Sequence, residues 1–266
     1  MKKLFFWFFL IFFANCANKT NTVSSNNTKK DAQFLHILSL APSITETISL
    51  LGASENLVGI TEYCKYPQDL LKDKHRIGGF TNFNFELISA LKPDSAFLLP
   101  IHQKELENFK RLKIDCILIK QDTIDDIKKS IFTIGEYLDK TDTALKLIKE
   151  IEDSINNVKL QISKLQNKKV LMIVSRDQTK LSAIFAAGAK TFYNDIINRL
   201  GLINALAENN IEYPMISIES IMAINPDIII EIYSPDAGMT ARRTILELKN
   251  DWKNLKTVNA VKNNNI

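Results

Sequence analysis

From residue 34 onward the chain alternates short apolar runs, which predict strands, with longer amphipathic segments, which predict helices. In the first half, the predicted strands span residues 34–40, 57–60, 95–99 and 114–119. The predicted helices span 44–51, 85–91, 104–112 and 124–138. Strands that alternate with helices in this way predict a mainly parallel sheet covered by helices.

A single long helix is predicted across residues 141–167. Its apolar positions recur at alternating spacings of four and three residues, which predicts one continuous apolar stripe: Ala144, Ile148, Ile151, Ile155, Val158, Ile162 and Leu165. Thr141 is expected to cap its start. About 27 residues would span about 40 Å, enough to cross two lobes. A coiled-coil dimer is the alternative. However, the helix is shorter than four heptads and lies between two βα regions, which favours an intramolecular brace.

A second βα region follows, with strands predicted at 170–174 and 228–232 and helices at 191–200, 217–224 and 241–248. Residues 85–94 align with residues 218–227, because in each a Glu lies seven residues before a Pro-Asp that leads into an apolar strand. The two regions therefore look like two versions of one lobe.

The predicted fold class is α/β, with two Rossmann-like lobes whose sheets are mainly parallel, joined by one long interlobe helix. The predicted domains are an N-terminal lobe at 34–138, the interlobe helix at 139–168 and a C-terminal lobe at 169–266.

The N-terminus has the pattern of an export signal. Two lysines precede an apolar run at residues 4–14, which is shorter than the roughly 20 residues that cross a bilayer. The run ends at residues 13–16, Phe-Ala-Asn-Cys, which resemble a lipobox, although Asn15 departs from the usual small residue. We expect a lipoprotein signal peptide at 1–16, lipidation of Cys16 and a flexible polar tether at 17–33. Ordinary secretion is the alternative.

Composition and charge exclude several classes of protein. Hydrophobic residues make up 45% and charged residues 24% of the chain, as in ordinary globular proteins. The net charge of +4 falls to +2 without Lys2 and Lys3, which argues against nucleic-acid binding.

Beyond Cys16 only Cys64 and Cys116 remain, and we expect two free thiols used as small hydrophobic side chains.

No enzyme motif is present in the sequence. The eight glycines form no dinucleotide-binding or P-loop pattern, and there is no G-x-S-x-G, H-E-x-x-H or C-x-x-C. We therefore predict a protein that is not an enzyme and has no cofactor. A catalytic cluster assembled from distant residues is the alternative.

The loop after the first predicted strand contains Ser43 and Glu46 in an S-x-x-E pattern, which predicts a capping box. In parallel sheets ligands bind beyond the carboxyl ends of the strands, so this helix start is expected to face a cleft.

Four segments of the first lobe, at 39–46, 61–67, 77–82 and 90–94, together resemble the cobalamin and ferric-siderophore binding proteins of ABC importers. The second lobe is similar more weakly, at 185–188, Gly201 and 225–227. The resemblance implies two α/β lobes joined by one helix, with a ligand bound between them and little movement on binding.

The resemblance also implies site residues. Tyr63 and Phe80 would face the ligand from the first lobe, and Phe185 and Tyr213 from the second. Pro42 and Ser43 would lie beside them in the first loop. Rigid aromatic faces suit a corrinoid or a ferric chelate, although each ring alone could equally belong to the core.

Glu86 and Glu219 match the family's acids that meet arginines on the permease. Each also lies in the first turn of a predicted helix, where the helix dipole alone would favour a carboxylate.

The expected partners are an ABC permease with its ATPase, a small chelate ligand and a membrane reached through the lipid anchor. We expect an exported monomer, held at the cell membrane or on the periplasmic side of an envelope membrane.

Relatives continue beyond the region of 261–266 through a strand, a loop and a helix, so a truncated C-terminal lobe is expected. Haem, held by His102 or Tyr63, and a bare metal ion are the alternative ligands.

Overall fold

The computed structural model describes residues 35–177, 179–233 and 243–266. The strands of the first lobe are β1 Ile37–Ser39, β2 Leu57–Ile60, β3 His75–Arg76, β4 Ser95–Leu98 and β5 Asp115–Leu118. Its helices are α1 Pro42–Leu50, α2 Phe85–Leu91, α3 Leu106–Arg111 and α4 Ile124–Tyr137, with a 3₁₀ turn at Pro100–Glu105 before α3. The strands pair in the order β3-β2-β1-β4-β5 and every pair is parallel, as predicted.

Helices cover both faces of this sheet, so its central strands are apolar on both sides. In β1, Ile37 packs into the cluster formed with α1 and α4, whereas Leu38 packs into the opposite cluster with α2 and Phe109. Successive side chains of a strand point to opposite faces. That arrangement explains why Ile37 and Leu38 are apolar in succession rather than alternating with polar residues.

The internal repeat predicted from the sequence is a structural equivalence. Helix α2 ends at Lys92 and helix α7, Ile218–Ile224, ends at Asn225, both in the left-handed region with φ of 45° and 48°. The aspartate that follows each proline then caps the central strand of its own sheet. Asp94 accepts from the backbone N–H of His36 at 2.9 Å, and Asp227 accepts from that of Lys169 at 3.0 Å.

The long helix is α5, Thr141–Gln161, and it ends six residues before the predicted end at 167. A 3₁₀ turn at Ser163–Leu165 follows, and the backbone N–H of Asn167 then bonds to the carbonyl of Gly201 in the second lobe. The predicted cap was also wrong. Lys140 occupies the cap position without a side-chain hydrogen bond and Thr141 is the first helical residue, because α4 and α5 are joined by a turn too tight to leave Thr141 outside the helix.

The apolar stripe of α5 contacts both lobes. Ile148 and Ile151 pack against the core of the first lobe, and Ile162, just beyond the helix, packs against a cluster of the second lobe. Residues 34–266 form one compact unit. These contacts are those of an intramolecular brace, whereas the monomeric state and the lobe boundaries stay predictions.

The second lobe has a mixed sheet, which corrects the prediction of mainly parallel strands there. Its strands are β6 Lys169–Ser175, β7 Ile184–Ala186, β8 Ile203–Asn204, β9 Met215–Ile216 and β10 Ile228–Glu231. Strands β8 and β10 pair with β6 in parallel, whereas β7 is antiparallel to both β6 and β9. A parallel crossover needs a dozen or more residues, and residues 176–183 are too few, so β7 returns antiparallel.

The helices of the second lobe are α6 Phe192–Arg199, α7, α8 Ile245–Asp251 and α9 Asn259–Lys262. The helix predicted at 241–248 is α8, which starts later because Thr244 and Glu247 form a capping box; residues 241–242 lie outside the described residues. The resemblance predicted that a strand starts within 261–266, whereas residues Asn259–Lys262 form helix α9.

Candidate ligand site between the lobes

The carboxyl ends of the first sheet's parallel strands all lie at one edge, and the predicted site residues follow them. Pro42 and Ser43 come after β1, Tyr63 after β2 and Phe80 after β3. His102 follows β4. This edge is where open α/β sheets bind ligands.

Ser43 does not cap helix α1, which corrects the predicted capping box. Ala41 holds the cap position with an extended backbone, and Pro42 is the first helical residue, where its missing N–H and fixed φ are favourable. The exposed hydroxyl of Ser43 instead donates to Oε1 of Gln121 at 2.6 Å. Ser43 thereby joins the loops that follow β1 and β5.

Tyr63 projects from a loop that is fixed by hydrogen bonds of its buried neighbours. The side chain of Tyr63 is 58% exposed, whereas its neighbour Cys64 is fully buried. The thiol of Cys64 lies within hydrogen-bonding distance of the Thr45 and Thr61 hydroxyls, and Arg76 donates to the carbonyls of Thr61 and Cys64. The loop can therefore expose an aromatic ring without depending on that ring for its own stability.

Phe80 lies in a tight turn between Gly78 and Phe83, which form an isolated antiparallel bridge. Gly78 has a φ of 122°, and a Cβ there would lie 2.2 Å from the Asn82 carbonyl, so only glycine allows this turn. The half-buried Phe80 ring meets the His102 ring edge-on, with centroids 5.1 Å apart. Phe80 thus presents its remaining surface above a buried histidine.

His102 is fully buried between Phe80 and Phe83. Its Nδ1 accepts from the backbone N–H of Leu99 at 3.1 Å, and its Nε2 has no hydrogen bond of good geometry to any described residue. Burial lowers the pKa of His102, against smaller opposing contributions from the Phe80 backbone and the charge of Glu105. An axial bond from His102 to haem would require the ring to leave this packed position.

The second lobe presents an apolar face on the β7–β9 ribbon. Phe185 and Met215 are directly opposite each other, and Tyr213 lies two positions before Met215. Phe185 is 38%, Met215 67% and Tyr213 42% exposed. Their chain neighbours Ala186 and Pro214 are buried. Cross-strand neighbours share a face of the sheet, so Phe185, Tyr213 and Met215 form one surface. Met215 was not predicted from the sequence, because residues 213–216, Tyr-Pro-Met-Ile, show no alternation of apolar and polar positions; the pairing of β7 with β9 places it opposite Phe185.

Tyr213 lies close to the first lobe. Burial raises the pKa of Tyr213, and the nearby Tyr193, Glu212 and Asp122 raise it further. Asp122 belongs to the loop after β5, next to Gln121, so a charge at the strand-end edge of the first lobe acts on Tyr213 of the second.

Glu86 and Glu219 are exposed in the first turns of α2 and α7. The Ser217 hydroxyl and the backbone N–H of Glu219 itself lower the pKa of Glu219. The matched strand caps of the two lobes make the positions of these two acids equivalent.

A buried ionic cluster that the sequence analysis did not find lies beyond β6 and β10. The fully buried guanidinium of Arg176 donates to Glu231 at 2.8 Å and to Asp251 at 2.9 Å, and the indole of Trp252 donates to Glu231. Arg243, and after it Arg176, hold the pKa of Asp251 below its usual value. The cluster attaches the end of α8 to the sheet. An arginine directly after an apolar strand was its signal in the sequence.

Cys64 and Cys116 are free thiols, as predicted, whereas Cys16 lies outside the described residues. Among the described residues, no helix is long and apolar enough to cross a membrane, and no group of three or more His, Cys, Asp or Glu could hold a metal ion.

Residues 37–266 match the family model of the periplasmic binding proteins. The chain belongs to this family. Its members are the substrate-binding components of ABC importers. These binding proteins deliver ligands to a permease and are not enzymes. The prediction that this chain is not an enzyme is therefore confirmed. Membership implies export to the periplasmic or extracellular side.

Curated relatives and solved structures agree with this assignment. The chain is 23% identical to a vitamin B12-binding protein of Vibrio parahaemolyticus over 254 residues, 89% of this chain and 90% of the relative. It is 24% identical to a vitamin B12-binding protein of Yersinia pestis over 196 residues, 73% of this chain and 68% of the relative.

Among solved structures, a possible iron-binding, periplasmic solute-binding protein from Staphylococcus epidermidis has a TM-score of 0.70 and 26% identity, covering 87% of this chain and 88% of that one. The haem-binding protein HutB of Vibrio cholerae has a TM-score of 0.71 and 21% identity, covering 88% and 89%. The shared fold confirms the predicted fold class of two α/β lobes.

Proposed function

We propose that this chain is a lipid-anchored substrate-binding protein that captures a corrinoid or a ferric-siderophore chelate between its lobes. It then delivers the ligand to an ABC permease with its ATPase. Cys16 carries the anchor, and Glu86 and Glu219 orient docking on the permease.

The observation that carries this proposal is that each lobe has partly exposed aromatic rings, in loops at the strand-end edge of the first lobe and on the β7–β9 ribbon of the second. Tyr63 and Phe80 belong to the first lobe, and Phe185 and Tyr213 to the second. Large chelates are rounded, rigid and partly apolar, and aromatic rings offer them contact area at a small entropy cost. Pro42 and Ser43 line the same edge. The vitamin B12-binding relatives, one of which aligns with 89% of this chain, support a ligand of this size.

Haem is a second candidate, favoured by the exposure of Tyr63. A phenolate can serve as an axial ligand of haem iron, and Tyr63 is 58% exposed at the strand-end edge. The similar fold of the haem-binding protein of Vibrio cholerae is compatible with this alternative.

Fluorescence of Trp252 tests the proposal. Trp7 lies in the predicted signal peptide, so Trp252 is the only tryptophan of the predicted mature chain, and it is fully buried. Corrinoids, ferric chelates and haem absorb strongly, and a lobe is only tens of Å across. We expect saturable quenching by cobalamin or a ferric siderophore, with haem titrated in parallel.

Two substitutions then locate the ligand. Phe80→Ala and Tyr213→Ala should each weaken binding by about 1–3 kcal/mol if each ring packs against the chelate. The matched control is Phe132→Ala, a ring of similar exposure on the outer side of α4. Saturable quenching that neither substitution shifts would remove the aromatic site. If haem binds more tightly than cobalamin or the ferric siderophore, and Tyr63→Phe abolishes that binding, the second candidate is favoured. If none of these three ligands quenches Trp252, the proposed ligand class is overturned.

A further inference from the structure

Polar contacts connect the two lobes away from the aromatic rings. They lie between the start of α4 in the first lobe and α6 in the second. Oδ2 of Asp195 accepts from the backbone N–H of Ile124 at 2.8 Å and from Nε of Arg199 at 3.0 Å. Another guanidinium nitrogen of Arg199 reaches across to Asp125 at 2.8 Å. Arg199 therefore bonds to one carboxylate in each lobe.

A groove that is open to solvent lies beside these polar contacts. This groove of about 380 Å³ lies between α4, α5 and α6, and its apolar lining is Ile124, Leu147, Ile151, Ile155 and Ile196. Protein interiors are otherwise close-packed, and that packing fixes how helices lie against one another. Because the groove separates part of α6 from α4 and α5, the polar contacts are part of what positions α6 against α4.

The same segment connects this junction to the candidate ligand site. Gln121 accepts from Ser43 at the strand-end edge, Asp122 lies near Tyr213, and Ile124 and Asp125 make the contacts to α6. Helix α6 in turn is bonded to the segment that carries Tyr213: Asn194 of α6 donates to the carbonyl of Ala189 at 2.9 Å, and the neighbouring Gly188 N–H donates to the carbonyl of Glu212 at 2.8 Å. A shift of α6 against α4 would therefore move Tyr213 relative to the rings of the first lobe.

We propose that Arg199, Asp195 and Asp125 form an interlobe clamp, a set of positioning residues that holds the two aromatic faces at the separation needed to capture the ligand. The effect on ligand binding rests on the proposed function, whereas the effect on lobe geometry does not.

The expected strength of the clamp is modest. The side chains of Arg199, Asp195 and Asp125 are 33%, 24% and 57% exposed. Ion pairs with this exposure contribute little and are screened by salt. The clamp therefore sets a preferred geometry that a bound ligand can adjust, rather than locking the lobes.

Arg199→Met tests the clamp, because it removes the charge and keeps an apolar side chain of similar length. The control is Lys72→Met, which breaks the Lys72–Asp69 pair at 3.0 Å within the first lobe and makes the same change of charge. Spin labels at Lys110→Cys and Lys253→Cys, both exposed and in different lobes, report the interlobe distance. The labelled protein is the full chain with Cys16→Ser and Cys116→Ser; Cys64 is buried.

Pulsed electron resonance without ligand should show a broader, shifted distance distribution for Arg199→Met and an unchanged one for Lys72→Met. Raising the salt from about 50 mM to about 500 mM should broaden the parent distribution and leave Arg199→Met unaffected. In the Trp252 titration, Arg199→Met should weaken binding about two- to five-fold with full quenching retained.

An Arg199→Met distribution identical to that of the parent protein would overturn the clamp, whether or not any chelate binds. If Arg199→Met does not fold, Asp125→Asn tests the clamp, because it preserves the shape of the side chain and removes the interlobe ion pair. It also removes the pair of Asp125 with Lys128 within α4, so Lys128→Met is measured beside it. A changed distance distribution together with no ligand binding by the parent would uphold the clamp and refute the proposed function instead.

Discussion

At the scale of single residues, the exposed rings of the candidate site depend on buried neighbours. Tyr63 is exposed because Cys64 and Arg76 hold its loop from below. The Phe80 ring packs edge-on against the ring of His102, a fully buried polar residue. A buried imidazole with an unbonded nitrogen costs free energy when it takes up a proton.

His102 should make stability depend on pH. Its pKa in the folded protein lies below the ordinary value of 6.5, so the unfolded chain binds a proton more readily. The free energy of unfolding should therefore fall as the pH drops from above 6.5 toward the folded pKa. His102→Asn, whose amide oxygen can still accept from the Leu99 N–H, should flatten this dependence. Urea unfolding from about pH 8 to about pH 5 measures it.

The control for this prediction is His75→Asn, which changes an exposed histidine on β3. It should leave the slope of stability against pH as it is in the parent protein. An unchanged slope in His102→Asn would mean that His102 does not carry the effect.

At the scale of elements, the repeated helix and Pro-Asp unit explains how one sequence pattern builds both lobes. Asn84 and Ser217 cap the starts of α2 and α7, and Lys92 and Asn225 end them in the left-handed conformation. The aspartate that follows then bonds to the central strand, which places the helix in the same position in both lobes. The acids of the first helical turn are consequently equivalent.

The double variant Glu86→Ala with Glu219→Ala should leave ligand affinity unchanged and reduce uptake. Both carboxylates are exposed in helical first turns outside the strand-end loops, so they are placed for a partner rather than for the ligand. Charges of this kind mainly steer and orient association. Transport of the labelled chelate, in cells that depend on this protein, measures the effect.

The control pair is Glu107→Ala with Glu55→Ala, two exposed acids that begin other helices of the first lobe. Uptake equal to that of the parent protein in the Glu86 and Glu219 double variant would remove the docking role.

At the scale of the whole molecule, residues 34–266 form one compact unit in which α5 braces both lobes. Such a unit can work at a membrane only if something retains it there or concentrates it near its permease. The proposed lipid on Cys16 and the polar segment at 17–33 would serve that purpose.

Cys16→Ser should release the protein from the membrane without unfolding it. The substitution lies outside the compact unit at 34–266, so thermal unfolding and Trp252 quenching should match those of the parent protein. Fractionation of cells into membrane and soluble parts, followed by immunoblotting, measures the outcome. Recovery of Cys16→Ser in the membrane fraction at the parent level would contradict the lipid anchor.

The sequence by itself determined the elements that depend on local patterns. Helix α2 at Phe85–Leu91 and strand β2 at Leu57–Ile60 lie where their apolar patterns predicted. The repeat around Pro93 and Pro226 predicted two related lobes, because the helix end and the strand cap are built from neighbouring residues. The prediction that Tyr63 and Tyr213 belong to a ligand site came from resemblance to a family and stays a prediction.

Only the tertiary structure decided the features that join distant segments. The antiparallel return of β7 depends on its pairing with β6 and β9, and two- or three-residue strands carry too little pattern to predict. Ser43 bonds to Gln121 rather than capping its own helix, because the loops that follow β1 and β5 come together at the strand-end edge, beyond the end of β4. The contact of Arg199 with Asp125 arises for the same reason, because an ion pair between distant segments needs proximity in space, which a local sequence pattern does not contain. The contact of Arg199 with Asp195 is different, since residues four apart on one helix already face each other.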